Sequence, residues 1–331
     1  MGVQRSRRVM LSLSALFAVT FAVAGCSATG GRLNAERNAQ VVGAAPKFMT
    51  VAFISHAAPG DTFWDVVRKG AEDAAVKDGV VLEYTSDPNG ANQANLIRQA
   101  IDKKVDGIAV TLAKPDALSA QVKAAREAGI SVVGLNGGQE AWKSVGALSF
   151  FGQDDRVAGK AAGERLVAEG AQKALCVVHE QGNVGHEARC AGVADAFPAT
   201  EKLYVDGTDM ADVQTKITAK LQEDPSVTHV VALGAPFAIT ASKAVQDAGS
   251  SAATVTFDLS KEAVRHIRDG SIRWAVDQQP YLQGYLAVDA LWLNKTNGNV
   301  TGGGQPVFTG PAFVDAKNID AVSRYVEAGK R

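Results

Sequence analysis

Several residues that could bind a polar ligand directly follow short apolar runs. After Phe48–Ile54 comes Ser55-His56-Ala57-Ala58-Pro59-Gly60-Asp61-Thr62-Phe63-Trp64, with two adjacent aromatics beside an Asp at the head of an amphipathic stretch. An aromatic face stacks on the C–H face of a sugar or polyol, and a carboxylate accepts hydrogen bonds from hydroxyls. The same residues also read as an N-cap Asp with Phe63 and Trp64 as core staples. Asn136-Gly137-Gly138 ends another run. An amide that both donates and accepts suits vicinal hydroxyls, while Asn-Gly is equally a turn. Arg189 lies about one turn into a predicted helix after Glu180-Gln181-Gly182-Asn183-Val184-Gly185-His186. It is either a planar fork of donors for a ligand or a surface side chain. Asp258 ends Val255-Thr256-Phe257, Gln278 stands in Asp277-Gln278-Gln279-Pro280, and Gly234-Ala235-Pro236 follows Val227–Leu233.

The elements that position these residues are legible as alternation. Apolar runs occur at 48–54, 80–84, 105–111, 130–136, 174–179, 227–233, 253–258 and 272–278, mostly β-branched and continuous. Continuity rather than period-two alternation suits strands buried on both faces. Helical patterns separate them at 63–77, 91–103, 115–128, 155–169, 186–197, 212–223, 236–248, 261–268 and 281–294. In 91–103, Leu96, Ile97, Ala100 and Ile101 share one side. Gly79, Gly129, Gly170 and Gly270 follow helical patterns as stop signals. Strand–helix repetition predicts an α/β fold of parallel sheets with helices on both faces, either one barrel or two open sheets. Both place a ligand at the carboxyl ends of the strands, where these residues sit.

The chain has 331 residues, 46% of them hydrophobic, and 34 Lys+Arg against 35 Asp+Glu. That length suits two lobes or one large domain, and the apolar content supplies a core. Near-zero net charge and the lack of a basic stripe argue against nucleic-acid binding. Arg5, Arg7 and Arg8 precede an almost wholly apolar run, Val9–Ala24, that is short for a membrane span. This predicts an export signal over residues 1–25. The run ends Val23-Ala24-Gly25-Cys26, which resembles a bacterial lipobox. That resemblance implies cleavage before Cys26 and a diacylglycerol on its thiol; the competing reading is a plain secretory signal. Each buried lipid methylene contributes about 0.8 kcal/mol, so several chains would hold the protein at a cell membrane. Residues 26–47, rich in Ala, Gly, Asn and Arg, read as a tether. Cys176 and Cys190 then form an even pair in an oxidising compartment, on a strand and the next helix, which favours a disulfide over two free thiols.

Taken together, these residues resemble the type I periplasmic solute-binding proteins, the ribose-binding-protein-like sugar binders of ABC importers. The resemblance runs from about residue 48 to 315. It is carried by Asp61-Thr62-Phe63-Trp64, by Gly152-Gln153-Asp154-Asp155 with Gly159 and Ala162, and by Gly185 through Arg189 to Gly192. Thr256-Phe257-Asp258, and Gln278-Gln279-Pro280 with Gly284, complete it. It implies two Rossmann-like lobes joined by three crossover strands: 48–151 plus 279–302, and 152–278 plus 303–331. It also implies an interlobe pocket built by Asp61, Phe63, Trp64, Asn136, Arg189, Asp258 and Gln278, with His56, Met210 and Pro236 as further candidates. The ribose binders carry an Asp-Arg pair where this chain has Asn136-Gly137, and a polar amide where it has Gly234-Ala235-Pro236. Fewer donors imply a ligand with fewer or differently placed hydroxyls: a small polyol, a deoxysugar or a furanone-like signal.

The expected function is capture of a sugar or polyol by an extracytoplasmic, membrane-anchored monomer and its delivery to permease subunits. On this reading Arg189→Ala abolishes binding and leaves the thermal transition of the free protein nearly intact. A sensory lipoprotein handing a signal to a membrane receptor is an alternative. A secreted glycosidase would need two carboxylates at strand ends, a role into which Asp61 and Asp258 could be pressed. The histidines at 56, 179, 186, 229 and 266 lack metal-ligand spacing, and there is neither a G-x-S-x-G elbow nor a P-loop. No metal, cofactor or catalytic residue is expected. Asp154-Asp155 reads as a helix N-cap. An export signal and the lack of a helix-turn-helix ahead of residue 48 weigh against a LacI-type repressor.

Overall fold

The computed structural model describes residues 48–331. The predicted export signal, the Cys26 lipidation site and the tether lie outside the described residues. The first half of the body runs β1 (Thr50–Ser55), α1 (Thr62–Asp78), β2 (Val81–Ser86), α2 (Gly90–Asp102), β3 (Gly107–Thr111), α3 (Pro115–Glu127), β4 (Ser131–Asn136) and β5 (Phe150–Gly152). The chain then passes to α4 (Asp155–Ala168), β6 (Ala174–Val178), α5 (Val184–Ala196), β7 (Thr200–Tyr204), α6 (Met210–Glu223), β8 (His229–Ala232), α7 (Ala235–Asp247), β9 (Ala253–Phe257), α8 (Lys261–Asp269) and β10 (Trp274–Asp277). It closes with α9 (Pro280–Asn297), β11 (Val307–Phe308), β12 (Ala312–Asp315) and α10 (Ile319–Glu327).

The strands form two sheets, ordered β11-β5-β4-β3-β1-β2 and β12-β10-β9-β8-β6-β7. Neighbours pair in parallel except β12, which runs antiparallel to β10. The central strands β3, β6 and β8 are buried along their whole length, as their uninterrupted apolar runs require. Each sheet is sandwiched between two apolar clusters, one on each side. Local signals set the boundaries. Asp61 accepts from the Phe63 amide at the head of α1, and Gly79 ends that helix in the left-handed region, at φ 67°.

Three passages join the halves: β5 to α4, β10 to α9, and β11 to β12. Val307–Phe308 extend the first sheet beside β5. The third passage therefore falls after Phe308, beyond the boundary at residue 302 expected from sequence. The passages are tied to one another by buried amides and a hydroxyl. Thr309 Oγ1 donates to the Gln278 carbonyl at 2.7 Å, and Gln283 Nε2 donates to that same carbonyl at 3.1 Å. Gln279 Nε2 reaches the Thr309 carbonyl at 2.6 Å.

The helices that follow the first two passages each come backbone to backbone with a neighbouring helix at glycine positions. A Cβ on Gly70 of α1 would fall 1.9 Å from the Tyr281 carbonyl oxygen of α9, and one on Gly284 equally close to that of Val67. In the second half, a Cβ on Gly159 of α4 would stand 2.0 Å from the Arg189 carbonyl oxygen of α5. Only glycine permits these approaches. The last of them fixes the backbone that carries Arg189. The Cys176 and Cys190 sulfurs are 2.01 Å apart, joining β6 to α5 behind the same region.

Candidate functional site

The carboxyl ends of both sheets open onto one cleft of about 580 Å³, including its open mouth. Its walls include His56, Asp61, Phe63, Trp64 and Asn136 from the first half and Arg189, Pro236 and Asp258 from the second, with Gln278 at the crossing. Nine of the residues expected from sequence thus come together. Met210 does not: it opens α6 at 39% exposure, and its sulfur accepts from Thr240 Oγ1 at 3.7 Å, away from the cleft lining. It belongs to the α6–α7 contact.

Two strand ends adopt the same device. Asn136 leaves β4 at φ 62° and Asp258 leaves β9 at φ 68°, a region that Asn and Asp enter more readily than other side-chain-bearing residues. Gln278 links them. Asn136 Nδ2 donates to Gln278 Oε1 at 3.2 Å, and Gln278 Nε2 donates to Asp258 Oδ1 at 2.8 Å. This line of hydrogen bonds runs from one sheet through the crossing to the other. On the first wall, Trp64 stands edge-on to both His56 and Phe63, with ring centroids 4.7 and 5.1 Å away. His56 Nδ1 is held 2.7 Å from Thr111 Oγ1, which also accepts from Gln93.

Arg189 is a buried ion-pair partner rather than a surface cation. It is 4% exposed, its Nε donates to Asp155 Oδ1 at 2.8 Å, and its guanidinium lies 5.0 Å from the Phe257 ring centroid. Burial disfavours its charge, but the Asp155 and Asp258 carboxylates outweigh that and raise its pKa. The Asp154-Asp155 pair has divided roles. Asp154 caps α4 through the Val157 amide, while Asp155 turns inward to hold Arg189. Because removing Arg189 would strand Asp155, the geometry leads us to expect Arg189→Ala to lower stability rather than leave it intact.

The cleft carries no excess of positive charge: Asp61, Asp155, Asp258 and Glu180 accompany Arg189. Burial pushes Asp258 up to about 7 and Asp61 up to about 6. Burial also lowers the pKa of His56, takes His179 to about 3 and holds His186 well below the usual range, so all three are neutral at pH 7. Such a lining suits an uncharged guest rich in hydroxyls. At the mouth the halves touch directly. Val184 N donates to the Ala113 carbonyl at 3.0 Å, and Glu180 lies 3.5 Å from Lys114 and 3.7 Å from His56.

Sequence reasoning missed His179, Glu180, Asn183, His186 and Phe237, all of which line the cleft. In the sequence His179 and His186 stand out only as histidines without metal-ligand spacing. The signal was nonetheless present: His179 immediately follows β6, and His186 precedes Arg189 by three positions, on the same side of α5.

Two α/β halves with a polar cleft at their strand ends, joined by three passages, define a hinged solute-binding protein. The chain belongs to the periplasmic binding protein family, whose domain matches residues 51–298. It is similar to the crystal structure of a carbohydrate transporter from Acidothermus cellulolyticus 11B in complex with myo-inositol. That likeness is 51% identity and a TM-score of 0.85, covering 86% of this chain and 100% of that one. It is 25% identical over 301 residues to the xylose/arabinose-binding protein XylF of Sulfolobus acidocaldarius, covering 83% of this chain and 74% of that protein. It is 27% identical over 235 residues to the ribose import binding protein RbsB of Bacillus subtilis, covering 69% of this chain and 76% of that protein. No helix among the described residues is long and apolar enough to cross a membrane.

Proposed function

We propose that this protein captures a neutral polyhydroxylated ring, myo-inositol foremost, between its two lobes and presents the closed form to the permease of an ABC importer. The observation that carries this is the hydrogen-bonded line Asn136–Gln278–Asp258, with Arg189 alongside and the Trp64 and Phe63 rings opposite, in a cleft without net cationic character. An uncharged cyclitol offers hydroxyl donors to the carboxylates and hydroxyl acceptors to the guanidinium and amides. It also offers a C–H face to the rings. The myo-inositol-bound relative at 51% identity supports the choice among polyols.

The lobes in this reading are the two sheets with their covering helices, and their hinge is the Gln278–Gln283–Thr309 cluster. A mature protein beginning at Cys26 and lipidated there would hold this body, as a monomer, at the outer side of the cell membrane. The chain then acts by binding, not by catalysis. Calorimetric titration with myo-inositol, scyllo-inositol, D-ribose, D-xylose and L-arabinose tests it. Saturable binding of an inositol, with a raised thermal midpoint, is the expected result. No binding by any of the five overturns the proposal. Cys26→Ala is expected to move the protein from the membrane fraction to the soluble one.

A further inference from the structure

His186 is 7% exposed and lines the cleft one turn ahead of Arg189. Its Nδ1 is buried, and among the described residues no protein group hydrogen-bonds its imidazole. His179 packs against it with ring centroids 4.3 Å apart and is itself stacked on Phe237 at 3.5 Å, interplanar angle 14°. The His179 Nδ1 is likewise buried and without a partner. Gly234 makes room for this stack: a Cβ there would stand 3.2 Å from the Phe237 ring and 3.5 Å from His179 Cε1. Two neighbouring imidazoles with unmet hydrogen-bonding capacity are costly in a protein interior, so such groups ask for a partner that the chain does not supply. The Asn136, Arg189, Asp258 and Gln278 side chains already bond to one another or to Asp155. The imidazoles are uncommitted.

Resting on the polyol reading above, we infer that His186, backed by the His179–Phe237 stack, is a specificity-determining residue. Its neutral imidazole hydrogen-bonds one particular hydroxyl of the bound ring and so rejects analogues lacking that hydroxyl. A neutral imidazole both donates and accepts, through different nitrogens, so it suits a hydroxyl in either role. Rejection follows because an analogue without the hydroxyl leaves a buried nitrogen unpaired.

The test is a cycle between protein and ligand. His186→Leu, which fits the space of the imidazole, and His186→Gln, which restores a donor and an acceptor, are titrated with myo-inositol and with each monodeoxy-inositol. If the wild type instead prefers one of the pentoses, that sugar and its deoxy forms are used. Wild type is expected to bind one deoxy analogue roughly 5–150-fold more weakly than its parent. His186→Leu should weaken binding of the parent by a similar factor, bind that one analogue as wild type does, and leave the other analogues' relative order unchanged. His186→Gln should recover part of the loss. Equal weakening towards every ligand, or none, overturns the inference while leaving the capture reading intact. Wild type that binds none of the polyols overturns both. Unchanged thermal midpoints of the two variants without ligand show that folding is not the cause.

Discussion

The Arg189–Asp155 pair gives a prediction in which stability and binding separate. Arg189→Met keeps an aliphatic stem near Phe257 but removes the charge. It leaves Asp155, 6% exposed, with Gln153 Nε2 as its remaining side-chain donor at 3.1 Å. Stranding one member of a buried pair costs about 3–5 kcal/mol. At roughly 2–4 °C per kcal/mol for a protein of this order of size, the midpoint falls by roughly 6–20 °C. Adding Asp155→Asn removes the stranded charge and retains an oxygen for Gln153, so the double variant should recover at least half of that loss. Binding should not recover. A charged hydrogen bond is worth about 1.5–3 kcal/mol, so both variants should bind myo-inositol roughly 10–150-fold more weakly. Scanning calorimetry and titration of the three proteins read both quantities. A single variant as stable as wild type, or a double variant no better than the single, refutes the ion-pair argument. Wild-type affinity in Arg189→Met refutes a ligand-facing guanidinium.

Other perturbations follow from the same geometry. Burial raises Asp258 to about 7, so in the empty protein its contribution to stability is full below pH ~4 and is lost as pH rises through 7. The lowered His56, His179 and His186 act oppositely, losing stability as pH falls below ~6.5. Ligand hydroxyls that donate to Asp258 favour its ionised form, so affinity should rise from pH 5.5 to 8 with proton release near neutrality. Titrations in buffers of different ionisation enthalpy check this, and affinity independent of pH would contradict it. Trp64→Ala should weaken binding and abolish a ligand-induced change in tryptophan emission, whereas Trp142→Phe should keep that change. Gly159→Ala should destabilise by about 1–3 kcal/mol and weaken binding, because its methyl displaces the Arg189 backbone; denaturant melts and titration read the two effects.

Much of the fold was legible because its inner strands are buried on both faces. Apolar runs at 130–136, 253–258 and 272–278 map onto β4, β9 and β10 to within two residues. The strands without an apolar signature were not legible. Edge strand β7, Thr-Glu-Lys-Leu-Tyr, is only partly buried, and β11 is two residues long. The strand-end rule and the resemblance together located Asp61, Asn136, Arg189, Asp258 and Gln278, since the backbone places these positions whatever the ligand. They failed at Met210, which begins a helix after an edge strand rather than a central one. They also failed at Asp155, whose role depends on how α4 and α5 pack together, a relation between distant segments that spacing along the chain does not encode.

The placement of α9 over the first sheet bears on how the polypeptide assembles. One side of the first sheet, with Phe53, Val133, Leu135 and Phe151, is roofed by Ala287, Val288 and Leu291 of α9, which comes after nearly all of the second half has been made. As the chain emerges, that apolar side is covered only in part, by Trp64, Val67 and Ala71 of α1. The early segment therefore stays sticky and unfinished until the late helix arrives, so a fragment ending near residue 152 should aggregate rather than stand alone.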